Sequence, residues 1–265
     1  MKYKIHEAAK MMGVSPQTLR FYEQYGIQVN ERVGDGKYRQ YSDVNMDMLM
    51  SLRKCRNCGF TVAQASQVLR ETDDAQLCGM LEERAKDMRH QAEMMTRMAQ
   101  ALTAAEELMR NVESRLDCFE ERMRPAFCIK TILRGRDGSI GQKEMQEVAL
   151  WADWLPIAVW FTRCEKDDLN EGTKMERGFM LDEENADFLG VHQQGVEYVR
   201  QRRCLYAVMR WNPAEGGVLA CMRRGIEQVE KRGLHLTGRP MVKTIWNIDA
   251  KQIPVSYGEF YFPTD

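Results

Sequence analysis

Long apolar runs are missing from this chain. No segment approaches the length of a membrane span, and the first residues lack the extended apolar stretch of a secretory signal, so no membrane partner is expected. Histidines number only four, His6, His90, His192 and His235, with no metal-ligand spacing among them. Also missing are nucleophile-elbow, phosphate-loop and dinucleotide motifs; no cofactor is expected, and nothing compels an enzyme. The eight cysteines follow no regular framework, which fits a reducing, cytoplasmic compartment. A strong net charge is absent too, at −1 overall, but this balance hides an asymmetry. Residues 1–70 hold eleven Lys and Arg against six Asp and Glu, and the remainder is acidic. A locally basic end on an acidic remainder fits nucleic-acid binding confined to that end. With 265 residues and 44% hydrophobic content, the chain has material for more than one domain.

What is present begins at residues 5–25. Ile5, Ala8, Ala9 and Met12 recur at helical spacing, and Gly13 can take the positive φ that ends a helix. Ser15 is placed as an N-cap, Pro16 as the first helical residue, and 17–25 continue without a breaker. This pattern describes a helix-turn-helix or an ordinary surface hairpin of helices. In a DNA-reading version, Ser15, Gln17, Thr18, Arg20 and Tyr22 carry the chemistry for phosphates and base edges. The following segment favours that version. Asp35-Gly36 suits a tight hairpin turn between β-compatible residues, so Lys37, Tyr38 and Arg39 would form a wing aimed at a phosphate backbone. Ser42 then caps a third helix that Gly59 ends, and Thr61 caps a fourth. Arg56, near the end of the third helix, complements the helix dipole and could reach a phosphate.

This order, with Glu7, Ala8, Ala9, Gly13, Val14, Ser15, Thr18, Leu19, Arg20, Phe21, Tyr22, Gly36, Tyr38, Arg39, Tyr41, Gly59 and Phe60 in place, resembles the N-terminal domain of MerR-family transcriptional regulators. The resemblance runs from Tyr3 to about Leu69. Asn30 stands where the family usually has proline, and Phe21 replaces one tyrosine of the usual Tyr-Tyr pair, leaving Tyr22 as the hydroxyl bearer. The resemblance implies a homodimer on a near-palindromic promoter operator in double-stranded DNA. It also implies action, usually activation, on RNA polymerase at a promoter whose DNA is twisted.

Leu81, Met88, Met95, Leu102, Met109, Leu116 and Met123 recur every seven residues, with neither Pro nor Gly between Met80 and Arg124. A dimerisation coiled-coil helix over 75–122 is expected, following a DNA-binding domain at 1–74. Packing against the chain's own C-terminal part is the alternative. The methionines in this seam read as adaptable packing. Cys78, Cys118 and Cys128 lie near the two ends of this helix, so a metal- or redox-responsive regulator is a competing reading. Cys55 and Cys58 read as small buried side chains.

About 140 residues follow, enough for a domain of their own at 123–265. Strands are expected at 127–133, 158–164, 205–211, 242–248 and 259–262, with helices at 144–155 and 219–231, an α+β layout. The fold class is thus multidomain α+β: winged helix-turn-helix, long helix and C-terminal α+β domain. The repeated strand-strand-helix-strand order, Arg124-Pro125-Ala126, Tyr206-Ala207 and Glu259-Phe260-Tyr261-Phe262-Pro263 resemble the GyrI-like effector-binding domain. Departures are Arg210-Trp211-Asn212-Pro213, where that family usually has a His-x-Gly pair, and Lys243 or Thr244, where it often has a glutamate. The resemblance implies a pocket for a small-molecule effector of aromatic or cationic type. Trp160, Tyr206, Trp246, Tyr257, Glu259 and Tyr261 are the candidates, because aromatic faces and a buried carboxylate attract planar or cationic compounds. Lys243 could neutralise Glu259 and turn preference toward neutral or anionic ligands. Some proteins of this fold are thought to hydrolyse small electrophiles, which is a further alternative.

Overall fold

The structure, a computed structural model, describes all residues except Met1, 28–30, 34–37, 71, 135–141, 172–173, 192–194 and 251–252. The side chains of 31–33, 38, 250 and 253 also lie outside the description. The chain divides into two compact units, Met1–Glu93 and Met94–Asp265.

The first unit runs β1 (Lys2–Lys4), α1 (Ile5–Met12), α2 (Pro16–Gln24), β2 (Glu31–Val33), β3 (Tyr38–Ser42), α3 (Asp43–Asn57) and α4 (Val62–Arg70). Gly13, at φ +62°, ends α1, with Val14 N donating to Ala9 O at 3.0 Å. Ser15 Oγ accepts the Thr18 N–H at 3.1 Å and so starts α2 at Pro16, as its sequence requires. Reciprocal side-chain caps start α3 at Ser42 and Asn45, and α4 at Thr61 and Gln64. β2 and β3 pair antiparallel with Arg32 opposite Arg39, so the wing is a hairpin; its Asp35-Gly36 turn and Lys37 lie outside the described residues. β1, which the sequence pattern did not signal, adds to the other edge of β3 with Tyr3 opposite Tyr41. Ala8, Leu19, Tyr41, Leu49, Leu52 and Phe60 build the core, which Cys55 joins.

α5 (Asp74–Arg110) is shorter than expected. After it come α6 (Val112–Arg115) and β4 (Glu120–Arg124), which corrects the expected helix to 122. The cause is competition. Val112 is buried in the core of the second unit, Leu116 bridges to Val208, Asp117 turns the chain at φ +58°, and the strand Arg202–Trp211 recruits residues 120–124 as a strand. The alternative reading of the heptads, packing against the chain's own C-terminal part, thus holds for Met109 and Leu116, while Met123 is exposed on β4.

The second unit continues with β5 (Phe127–Arg134), α7 (Gln142–Ala152), β6 (Val159–Arg163), β7 (Glu176–Asp182), α8 (Glu183–Leu189), β8 (Glu197–Val199), β9 (Arg202–Trp211), α9 (Gly217–Lys231), β10 (Met241–Ala250) and β11 (Ile253–Pro263). These strands and β4 form an eight-stranded sheet ordered β4-β9-β11-β10-β6-β7-β5-β8. The order is palindromic. The repeats β5-α7-β6-β7 and β9-α9-β10-β11 meet at the β10–β6 pair, and each takes the strand preceding the other onto its edge, β4 on β9 and β8 on β5. One sheet face carries α9 through Met222, Ile226 and Val229, and α7 through Trp151. The other presents Phe127, Phe161, Met180, Tyr206, Tyr257 and Tyr261, with Leu108 of α5 packed on it. No helix among the described residues is long and apolar enough to cross a membrane.

Candidate functional site

In the first unit, Leu19 and Tyr22 turn α2 into the core and leave Gln17, Arg20, Phe21 and Tyr25 exposed. Arg20 Nη1 donates to Gln17 Oε1 at 3.2 Å, one turn away, which places an amide and a guanidinium side by side on the outer face. Ser15 and Thr18 link their hydroxyls at 2.9 Å. Phe21 and Tyr25 meet edge to face at 5.0 Å, an exposed aromatic pair at i, i+4 spacing that the sequence reading did not single out. Tyr22 is 7% exposed, with its ring in the core of the first unit. The Arg39 guanidinium holds both Glu23 carboxylate oxygens through Nε and Nη2, which braces the wing against α2. Arg56 remains exposed while donating to the Phe60 carbonyl at the end of α3. The Tyr38 side chain and Lys37 fall outside the described residues.

In the second unit, a cavity of about 470 Å³ opens on the tyrosine-bearing face of the sheet. Its volume is in the range of small-molecule sites. Ala101, Ala104 and Leu108 of α5 form one wall; Phe127, Val159, Met180, Ile245 and Trp246 form another. A β-bulge between Thr244 and Trp246 breaks the alternation of β10, so the successive side chains Ile245 and Trp246 both reach the cavity. Lys243 and Glu259 stand at one margin, Arg97, Asp182, Glu184 and Asn185 at another. Arg97 is held there by Asn185 Oδ1 at 2.9 Å, by Glu184 at 3.1 Å and by the Phe188 ring.

Of the six aromatic and acidic residues expected to meet a ligand, Trp246 and Glu259 line this cavity. Tyr206, Tyr257 and Tyr261 share the sheet face but lie in the core beside it, with the Tyr206 and Tyr261 rings 5.4 Å apart. Trp160 is a correction: it points through the opposite face, onto Phe179 at 5.0 Å and the α7 layer. The Glu259 carboxylate has three partners, with the Tyr206 hydroxyl donating at 2.9 Å, Lys243 Nζ at 3.3 Å and Arg122 Nη2 at 3.7 Å. The Arg122 guanidinium lies over the Tyr206 ring, 3.4 Å from its centroid. Burial, then the charge and hydrogen bond of Glu259, push the Tyr206 hydroxyl far above the ordinary tyrosine pKa and keep it a donor. Burial works against the charge of Arg122, but Tyr261, Tyr206 and Glu259 outweigh it and raise its pKa further.

A second ionic group occupies the equivalent place in the other repeat. Lys243 is paired across the strands with Glu259, and Arg163 with Glu176. Arg163 Nε meets Glu176 at 2.7 Å, its two Nη atoms meet Glu197, and Arg239 adds to Glu176 at 3.0 Å. Arg163 and Glu176 of this group are buried and Glu197 is half exposed, whereas the counterpart borders the cavity.

Residues 3–72 match the family described as MerR HTH family regulatory protein. They are a MerR-family helix-turn-helix domain. Proteins similar to the chain include the mercuric resistance operon regulatory protein of Bacillus cereus, 32% identical over 73 residues that make 28% of this chain and 55% of that protein. The heavy metal-dependent transcription regulator 2 of Rhizobium meliloti (strain 1021) is 37% identical over 65 residues, 24% of this chain and 44% of that protein. The chain spans about half the length of the curated relatives it matches. Among solved structures, EcmrR in complex with DNA aligns over 99% of both chains, at 16% identity and a TM-score of 0.38.

Beyond the MerR-type domain, the cysteines are dispersed in character. Cys78 and Cys118 are exposed, and Cys128 is buried in the layer under α7, where burial, followed by nearby acidic residues, pushes its thiol pKa up. Raised pKa values work against thiolate ligation. Among the described residues, no three His, Cys, Asp or Glu side chains are grouped to hold a metal ion.

Proposed function

We propose that this chain is a transcriptional regulator that binds a near-palindromic operator as a homodimer and responds to a small aromatic compound. One observation carries the reading: a MerR-type helix-turn-helix with Gln17 and Arg20 exposed on α2 shares the chain with a separate unit holding a cavity of about 470 Å³ whose walls combine apolar and charged side chains. The four heptad residues Leu81, Met88, Met95 and Leu102 are 44–70% exposed in the single chain, which supports their burial against a second copy. Two reading heads related by that dimer would meet two half-sites of an inverted repeat. Ligand in the cavity shifts the dimer between arrangements by its differential affinity for them, and activation by DNA distortion is the output. The test is selection of bound duplexes from a random pool by the full chain, followed by fluorescence anisotropy. An enriched inverted repeat, bound far more weakly after Arg20→Ala, is expected; no enrichment overturns the reading.

A further inference from the structure

Resting on the effector reading above, we propose that Arg122 is a resident cation: it occupies the aromatic-carboxylate cage of this domain, so that the adjoining cavity rejects organic cations and takes an aromatic anion on Lys243. Three observations combine. First, the place a cationic ligand would seek is filled from within. The Arg122 guanidinium is stacked 3.4 Å from the Tyr206 centroid, 5.6 Å from that of Tyr261, and 3.7 Å from Glu259 Oε1. These are the cation-π and charge contacts that recognise an ammonium or a planar cation. Second, the carboxylate has little left to offer. Glu259 accepts from Tyr206 and meets both Arg122 and Lys243, while Glu120 adds to Arg122 at 3.8 Å from its more exposed side, so two positive charges already surround the one carboxylate at the cavity margin. An entering cation would meet the repulsion of the Lys243 ammonium at that margin.

Third, the cation that faces the cavity has donors to spare. Lys243 lines the cavity, its side chain is 33% exposed, and its ammonium carries three N–H groups. It can hold a carboxylate or sulfonate while keeping Glu259. The equivalent place in the other repeat shows what the same arrangement does when complete: Arg163 binds Glu176 and takes a second carboxylate, Glu197, at 2.5 Å. In the cavity-facing repeat, a ligand anion would play the part of that second carboxylate. The apolar walls from Leu108, Phe127 and Ile245, with Trp246 at the margin, suit the flat ring that carries it.

The test uses three naphthalene probes alike in ring and differing in charge: naphthoate, naphthylmethanol and naphthylmethylammonium, titrated calorimetrically into the full chain. The unaltered protein is expected to bind naphthoate at least about tenfold more tightly than the ammonium, a difference of about 1.4 kcal/mol. Lys243→Met should remove that preference. Arg122→Gln should raise affinity for the ammonium by about tenfold or more, Arg122→Lys should not, and Glu259→Gln added to Arg122→Gln should cancel the gain. If the unaltered protein prefers the ammonium, or Arg122→Gln folds and leaves its affinity unchanged, the inference is overturned while the effector reading stands. If no probe binds, naphthylmethanol included, both fall.

Discussion

The Arg39 guanidinium of β3 closes a fork on the Glu23 carboxylate of α2, with Nε to Oε1 at 2.7 Å and Nη2 to Oε2 at 2.9 Å. A bidentate pair fixes two directions at once, so it sets the angle between wing and recognition helix more firmly than either charge could alone. Glu23→Gln should cost about 1 kcal/mol of stability, and it should weaken operator binding by loosening the wing. Thermal unfolding together with anisotropy titration of the full chain checks both. Unchanged affinity would show that the wing is positioned by other contacts.

Gly225 of α9 lies against Phe262, and a Cβ added there would run into the buried phenyl ring. Alanine is the better helix former by about 1 kcal/mol, but overpacking a closed core costs about 1–3 kcal/mol. Since Phe262 is 0% exposed and has nowhere to swing, Gly225→Ala should destabilise the chain. Denaturant unfolding measures the sign, and a stabilised variant would mean that α9 can lift off β11.

Much of the first unit was legible because its signals are local. Gly13, Ser15, Pro16, Ser42 and Thr61 each act within a few residues of themselves, through caps and turns that do not need the rest of the fold. In the C-terminal cage Tyr206, Glu259 and Tyr261 were read from the sequence but Arg122 was not, for the opposite reason. Leu116 and Met123 continue the heptad of α5 without a break in sequence, so Arg122 reads as a coiled-coil residue until β9 is there to pair with it. Trp160 failed on parity. Its strand packs on both faces, Val159 and Phe161 on one and Trp160 on the other, and such a strand does not tell which side a given residue takes. Lys243 and Glu259 meet through strand register, which the single glutamate-bearing strand could suggest but not complete.

Leu81, Met88, Met95 and Leu102 repeat every seven residues and are exposed in the single chain. Met95→Glu with Leu102→Glu removes apolar surface without touching either core, so the chain should stay folded but sediment as a monomer, with operator binding lost. A dimer that persists in the double variant would place the partner's contact elsewhere.

Glu197 is held below the ordinary carboxylate value of 4.5, first by its hydrogen bonds to Arg163 and then by that residue's charge. A folded-state pKa below the unfolded one contributes stability above about pH 4.5, and this is lost as pH falls through the lower, folded value. Glu197→Gln should therefore lower stability near neutrality and make the acid limb of the stability curve shallower. Denaturant midpoints between neutral and strongly acidic pH supply the measurement; an acid limb as steep as before would exclude Glu197 as a contributor.

Arg20 and Tyr22 sit two residues apart on α2, yet the structure assigns them opposite work. Arg20 is exposed beside Gln17, whereas Tyr22 is packed into the core of the first unit. Arg20→Ala should weaken operator binding and, if the guanidinium meets a phosphate, lower the slope of log affinity against log salt by about 1. It should leave both thermal stability and naphthoate binding in the second unit as they were. Tyr22→Ala should instead lower the unfolding temperature, since truncating a large buried aromatic costs about 3–5 kcal/mol, and lose operator affinity through unfolding of the domain. Tyr22→Phe keeps the ring and separates the hydroxyl from it: with the core intact, operator affinity should stay close to that of the unaltered chain. A large loss of affinity in a stable Tyr22→Phe protein would return the hydroxyl to the DNA contact set and leave the ring as its buried support.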